Sequence, residues 1–262
     1  MHSEEPQPVS DHKSTVDIDR LPKAATASVA ALALRAQKAN GPLMQALNSF
    51  GGRVESWAAR LPKPARDTLD GGAEKLLVTL YHGAAGAQKA LPDMGAWGHR
   101  FAAAASGAAG GAAGLASAVV ELPATVMLMF GAMQKAAAEN GFDPASEAVR
   151  LTCLDIFGSG GPGSGDDGVN TTFLGSRLSL NGSTLQAIIR RVAPVFSTML
   201  GKSLASKAVP IIGAVAGAGV NYAFTDYYQE IARIRFGLQR LALEHGEDRI
   251  RQAFRAEMAR KT

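Results

Sequence analysis

Two apolar stretches decide the fold of this chain: FAAAASGAAGGAAGLASAVVELPATVMLMFGAM at residues 101–133 and VPIIGAVAGAGVNYAF at residues 209–224. Both are rich in small residues and carry glycines four positions apart, and residues at this spacing lie on one face of an α-helix. Each helix therefore presents a strip of bare backbone against which another helix can pack at short distance. The glycine pairs that define the two strips are Gly107 with Gly111 and Gly110 with Gly114 in the first stretch, and Gly213 with Gly217 in the second, where Pro210 opens the helix.

The rest of the sequence predicts more helices. Runs rich in alanine and leucine favour helices over residues 23–39, 43–60 and 65–89, and no stretch alternates apolar and polar residues as a strand does. We therefore predict an all-α, multi-helix domain around two Gly/Ala-rich elements. These elements are a helical hairpin over residues 93–140 and a helix over residues 209–240.

Turn and capping residues predict where the helices end. Pro123 lacks a backbone donor and predicts a kink or a tight turn inside the hairpin. Gly141 is expected in the left-handed conformation that closes many helices, and Asp143, followed by proline, is expected to cap the next one. Thr184 or the serine before it is predicted to begin a helix that ends at Ser206.

Composition limits both the domain plan and the compartment. The polar, proline-bearing residues 1–22 are predicted to be a disordered tail, and residues 23–262 a single domain with a flexible glycine-rich loop at 158–168. Charged residues make up 19% of the chain and the net charge is +4, with scattered cations and few aromatics, so nucleic acid is not the expected partner. The chain starts without a secretory signal pattern and has one cysteine, which fits a cytoplasmic protein.

The two apolar stretches are borderline membrane segments. Residues 101–120 are uncharged and long enough to span a bilayer, but ten of them are alanine and four are glycine. Residues 209–224 are shorter than the usual span of about 20 residues. Three interpretations stay open: a buried hairpin in a soluble core, a shallow or conditional membrane association, and a true spanning pair.

Motifs that carry chemistry are weak or missing. Residues 158–163 fit G-x-G-x-x-G, but a helix rather than a strand precedes them, so they predict a flexible loop. Asp166 and Asp167 have no third metal ligand at a recognisable spacing, and the histidines are dispersed. Cys153 lies among apolar helix positions and is expected to be a packing residue. We predict no catalytic residue, no metal and no cofactor.

Polar residues beside the glycine helices are the best site candidates. Glu121 closes the first uncharged run, while Asn221 and Asp226 end the second, and Arg233 and Arg235 follow. If the helices pack together, a weakly hydrated carboxylate must find a partner or become neutral. The pattern favours an interhelical polar clamp, with a functional acid as the alternative.

The C-terminal residues 247–262 predict a charged amphipathic helix. Ile250, Phe254 and Met258 lie four apart on one face, and arginines line the others. Such a helix either packs on the domain or lies on an anionic membrane.

The order of these features resembles the EcsC family of bacterial proteins. The residues that carry the resemblance are GAAGGAAG at 107–114, ELP at 121–123, AAAENGFDP at 136–144 with Glu147 after it, KAVPIIGAVAGAGVNYAF at 207–224 and IARIRF at 231–236. It covers about residues 65–240; the glycine-aspartate loop and the long N-terminal extension depart from it. The family takes its name from a member encoded beside an ABC transporter, and it has no agreed catalytic residues to carry over.

The function expected from these observations is non-enzymatic. The resemblance implies a membrane-associated helical protein that works with a membrane partner such as an ABC transporter. We expect it in the cytoplasm, peripherally at the inner face of the cell membrane, with an anionic membrane surface or a membrane protein as partner. The alternatives are a hydrolase with an acidic site near Glu121 and a soluble carrier of an apolar ligand.

Overall fold

The computed structural model describes residues 21–39, 63–90, 115–158, 184–206 and 210–260. These residues form seven α-helices and no β-strand, which confirms the predicted all-α class. In chain order the helices are α1 Lys23–Lys38, α2 Lys63–Ala90, α3 Leu115–Glu139, α4 Glu147–Phe157, α5 Leu185–Ser206, α6 Pro210–His245 and α7 Glu247–Ala259.

Helices α3 and α6, which contain parts of the two apolar stretches, lie side by side and run in the same direction. About three turns after each helix begins, the Asn221 amide donates to the Thr125 hydroxyl at 3.3 Å. Three to four turns further along the two helices, Arg233 Nε donates to Glu139 Oε2 at 3.2 Å. Residue numbers rise together from one contact to the other, so the two helices are parallel and begin at the same end of the molecule.

Helix α6 is the central element. Its 36 residues make a rod about 54 Å long, and it packs against α1, α3, α4, α5 and α7. Helices α1 and α7 also pack against each other. Helix α2 packs mainly on α5, and α4 fits between α5 and the pair formed by α3 and α6.

The middle of the core is a cluster of aromatic rings. Phe157, the last residue of α4, has its ring centroid 6.4 Å from that of Phe130 in α3, 4.9 Å from Phe196 in α5 and 5.0 Å from Tyr228 in α6. Four helices therefore meet at one side chain. Helix α4 can occupy this position because every residue from Leu151 to Phe157 is buried.

Helix α3 ends as the sequence predicts. Gly141 adopts a φ of +82°, its N–H donates to the Ala138 carbonyl at 3.0 Å, and the Phe142 N–H donates to the Ala137 carbonyl at 3.1 Å. These two bonds are the Schellman pattern that closes many helices. The Phe142 ring then packs on Phe236 of α6 with centroids 5.6 Å apart, so the turn is tied to the central helix.

The predicted cap at Asp143 is wrong by three residues. A carboxylate oxygen of Asp143 accepts from the Ala145 N–H at 3.0 Å and forms a local turn instead. Helix α4 is capped by Ser146, whose hydroxyl accepts from the Val149 N–H at 3.3 Å. At α5 the prediction is confirmed, since the Thr184 hydroxyl accepts from the Ala187 N–H at 3.2 Å.

Pro123 does not end the helix that contains it. Helix α3 runs from Leu115 to Glu139 with Pro123 inside, although an internal proline removes one hydrogen bond and costs about 3 kcal/mol. Pro123 is exposed, so its ring projects to the surface, and packing of α3 on α6 supports the helix on the other side. Pro194 is likewise accommodated inside α5.

Several predictions fall outside the described residues. They are the disordered tail over 1–22 except its last two residues, the helix over 43–60, the part of the hairpin before Leu115, and the glycine-rich loop beyond Gly158.

Candidate functional site

A polar clamp joins the two glycine helices through Asn221, whereas the clamp predicted at Glu121 stays a prediction because that side chain lies outside the described residues. The side chain of Asn221 is almost wholly buried, as is that of its partner Thr125. Thr225, one turn after Asn221, donates its hydroxyl to the Asn221 carbonyl at 2.8 Å. Buried polar groups are stable when they are hydrogen-bonded, and this pair fixes the register of α3 against α6.

Arg233 belongs to a row of four alternating charges across three helices. Arg35 of α1 donates to Glu230 of α6 through Nε and Nη2 at 2.5 and 3.0 Å. Arg233 contacts Glu230 at 3.5 Å and Glu139 of α3 at 3.2 Å. We call Arg35, Glu230, Arg233 and Glu139 the outer ion-pair row. It ties α1 and α3 to the middle of α6.

The outer ion-pair row shifts the titration of Glu230. Burial alone would raise the pKa of this carboxyl, but the hydrogen bond and charge of Arg35, together with Arg233, outweigh it and lower the pKa below its usual value. Glu230 is therefore held as a carboxylate by its two arginine neighbours.

A second ionic group lies deeper. Asp155 of α4, whose side chain is 6% exposed, pairs with two arginines: Arg191 of α5 in close contact and Arg235 of α6 at 3.8 Å. Arg235 is 1% exposed and Arg191 is 59% exposed. We call Asp155, Arg191 and Arg235 the inner ion triad; it joins α4, α5 and α6 beside the aromatic cluster.

Burial dominates the electrostatics of the inner ion triad. It raises the pKa of Asp155 in spite of the attraction of Arg191 and Arg235. It also lowers the pKa of Arg235, although Asp155 and Glu247 favour the charged guanidinium. Both pKa shifts have the sign expected when the desolvation penalty exceeds the attraction between Asp155 and the arginines. The inner ion triad therefore holds three helices in position at a cost in folding free energy.

A third polar contact joins α2 to α4. The Tyr81 hydroxyl donates to Glu147 at 2.9 Å, and Arg150 donates to the Tyr81 carbonyl at 2.9 Å. The Arg150 guanidinium also lies 4.6 Å above the Tyr81 ring, within range of a cation–π interaction. Glu147, one of the residues that carry the family resemblance, thus binds a neighbouring helix.

The remaining sequence-predicted site residues divide into three groups. Gly107, Gly111 and Gly114 lie outside the described residues, and the same is true of the side chain of Glu121 and of the surroundings of Pro210, Gly213 and Gly217 within α6. Pro123 is exposed. Asp226 is half-buried and takes part in a polar contact.

Gly237 of α6 lies close to α1, and the glycine pattern in the sequence did not predict this contact. A methyl group at Gly237 would lie 3.0 Å from Leu32 Cδ2 of α1, which is tighter than ordinary contact. A methyl group at Gly219 would meet no atom within 4 Å. Asp155, Glu230 and Arg35 were also missed, because their partners come from distant parts of the chain.

Two further predictions concern the thiol and α7. Cys153 is wholly buried, and burial raises the pKa of its thiol far above the usual range, so it is a packing residue as predicted.

In α7, Ile250 and Phe254 are buried in the core cluster. The apolar face of α7 therefore packs on the domain, which favours that interpretation over insertion into a membrane.

The described side chains contain no cluster of three or more histidine, cysteine or acidic residues that could hold a metal ion. In the helices that the structure describes, no segment is both long and apolar enough to cross a membrane.

Comparison with known proteins identifies the chain by the region that contains α3 to α6. A model of the EcsC protein family matches residues 95–241, more than half of the 262 residues. The chain belongs to the EcsC family. The EcsC region therefore contains the polar clamp, the inner ion triad and three of the four members of the outer ion-pair row. No curated protein matches the chain, and no solved structure matches it.

Proposed function

We propose that this EcsC-family protein is a non-enzymatic, peripheral membrane-associated protein. In this proposal it contacts an anionic membrane surface, or a membrane protein such as an ABC transporter, through the end of the molecule where α3 and α6 begin. The protein would lie at the cytoplasmic face of the membrane.

The observation that carries this proposal is the uneven distribution of charge along the parallel pair. Residues 210–225 of α6 contain no charged residue, and residues 115–134 of α3 contain only Glu121. Because α3 and α6 are parallel, these poorly charged segments lie together at one end. The opposite halves carry Glu139, Glu230 and Arg233 of the outer ion-pair row and Arg235 of the inner ion triad, all engaged in ion pairs.

One exposed apolar surface lies within the poorly charged segment of α3, although Leu34 of α1, beside the ion-paired Arg35, is exposed to a similar degree. Met127 is 40% exposed on α3, and Pro123 and Ala124, one turn earlier, are also exposed. Together they form a small apolar surface in the middle of α3, within its poorly charged segment. Leu243 is 78% exposed, but it lies between the ion-paired Arg240 and Glu244 near the other end of α6, about 33 Å along the axis from Asn221.

The state of the reactive groups supports a non-enzymatic role. Asp155 and Glu230 are used in ion pairs between helices. The Cys153 thiol is enclosed by apolar residues and kept protonated by burial. Nucleophiles and general acids need access to a substrate, whereas these groups face the protein interior.

Two general features favour a membrane partner. The net charge of +4 attracts an anionic surface at moderate salt, and the EcsC resemblance implies a link with membrane transport. The charge brings the protein to the surface, and the uncharged end of the helix pair would form the contact.

Vesicle flotation with matched variants tests the proposal. Met127→Glu places a charge in the poorly charged segment of α3, and Leu243→Glu places the same charge near the end of α6. We expect wild type and Leu243→Glu to float with vesicles that contain phosphatidylglycerol, and Met127→Glu to stay largely at the bottom. A wild-type protein that stays at the bottom, or equal effects of the two variants, would contradict the proposal. Circular dichroism checks that both variants are folded.

A further inference from the structure

The hydroxyl of Tyr228 occupies an unusual position for a polar group. Tyr228 lies in the middle of α6 and is wholly buried. Its ring centroid is 5.0 Å from that of Phe157, 5.3 Å from Tyr227 and 6.4 Å from Phe224. Rings on several sides therefore hold the side chain and prevent it from turning its hydroxyl to solvent.

This hydroxyl has no hydrogen-bond partner among the residues that the structure describes. A buried hydroxyl without a partner destabilises the folded protein, and buried polar groups in native proteins are almost always satisfied by protein or ordered water. Phenylalanine would avoid this cost while filling nearly the same space. The surrounding cluster uses phenylalanine elsewhere, at Phe130, Phe157, Phe196 and Phe224.

We infer that the Tyr228 hydroxyl binds a buried water molecule at the junction of α4 and α6. Water is the smallest molecule that can hydrogen-bond to a phenol hydroxyl. A buried water usually makes about three hydrogen bonds. Asn221 and Thr225 lie seven and three residues before Tyr228 on the same face of α6, so buried polar groups continue along this side of the helix.

The bound water would make this layer of the core partly polar without using any charged residue. It is separate from the proposed membrane contact, because Tyr228 is buried between helices and Met127 is on the surface. Failure of one inference therefore leaves the other standing.

Two measurements test the inferred water. A crystal structure of the full chain at high resolution is expected to show an isolated density peak about 2.7–2.8 Å from the Tyr228 Oη. A side chain from residues 159–183 bonded to the hydroxyl, an organic molecule at this position, or a bare hydroxyl would each overturn the inference.

The second measurement is thermal unfolding of Tyr228→Phe. Loss of one bond to a buried water is expected to lower the midpoint by about 2–4 °C. Tyr222→Phe is the control, since Tyr222 is on the same helix but only half-buried, and its midpoint should stay unchanged. A Tyr228→Phe midpoint equal to or above that of wild type means that the hydroxyl was bare, which overturns the inference.

Discussion

Arg35 of α1 and Glu230 of α6, which are 195 residues apart in the chain, form a two-pronged ion pair with N–O distances of 2.5 and 3.0 Å. The pair joins a helix outside the EcsC region to the central helix within it. Arginine and carboxylate match in this geometry because both groups are planar. The folded unit therefore extends beyond the residues that define the family.

Truncation to the EcsC region should abolish the fold. A fragment of residues 95–241 lacks α1, α2 and α7, which supply buried core residues such as Val29, Leu77, Ile250 and Phe254. We expect the fragment to show no cooperative thermal transition by circular dichroism, whereas residues 21–260 unfold cooperatively. A fragment with the midpoint of the longer chain would show that the flanking helices are dispensable.

Removal of the Asp155 carboxylate should be strongly destabilising. Asp155→Ala leaves Arg235 buried without its carboxylate, and breaking such a pair costs about 3–5 kcal/mol. Urea unfolding measures the loss. The control is Asp67→Ala, which removes an exposed pair with Lys63 and is expected to cost no more than about 1 kcal/mol.

A double variant separates the ion pair from simple packing. Since burial outweighs attraction in the inner ion triad, Asp155→Ala with Arg235→Met should be more stable than Asp155→Ala alone. Additive losses would mean that Arg235 and Asp155 do not interact in the folded protein.

The two ionic groups should give opposite pH dependences of stability. The pKa of Glu230 is lower in the folded protein than its usual value of 4.5. The stability that Glu230 contributes is therefore present above its pKa in the unfolded chain, and it is lost as the pH falls through its pKa in the folded protein. The pKa of Asp155 is raised in the folded protein. The stability that Asp155 contributes is therefore present below its pKa in the unfolded chain, and it is lost as the pH rises through its pKa in the folded protein.

Amide variants resolve these two contributions. In urea unfolding between neutral and acidic pH, Glu230→Gln should lose less stability on acidification than wild type, and Asp155→Asn should lose more. The same slope for both variants would contradict the assignment of opposite shifts to the two carboxyls.

Two glycines of α6 should respond differently to a methyl group. Alanine is the better helix former by about 1 kcal/mol, and Gly219 has space for it, so Gly219→Ala should raise the free energy of unfolding by about 0.5–1 kcal/mol. At Gly237 the methyl group meets Leu32, so the gain should be smaller or reversed. When Leu32→Ala is also present, Gly237→Ala should again raise the free energy of unfolding. Equal gains at both glycines without that change would show that α1 does not approach α6 at Gly237.

The elements of the fold could be predicted because their signals are local. Gly141 ends α3 through its own backbone conformation, Thr184 caps α5 through a neighbouring N–H, and Pro210 begins α6. Each depends on residues within one turn. The helix through Pro123 was not predicted, because packing against another helix decides whether a proline is tolerated.

The polar contacts could be predicted only in part. Asn221 was singled out as a polar residue on an apolar helix, but nothing local identifies Thr125 as its partner. In the sequence, nothing distinguishes Asp155 from other acidic residues in short helices, because its two arginine partners come from α5 and α6. Gly237 is not one of the glycines spaced four residues apart, so the sequence alone does not predict its close contact with α1.

Site-specific fluorescence tests most directly whether the poorly charged segments of α3 and α6 face the membrane. Met127→Cys and Leu243→Cys are each labelled with an environment-sensitive dye; the native Cys153 is wholly buried and should not react. On addition of phosphatidylglycerol vesicles, the account predicts a blue shift and increased emission at position 127 and no change at position 243. An unchanged spectrum at position 127, or an equal shift at position 243, would contradict it.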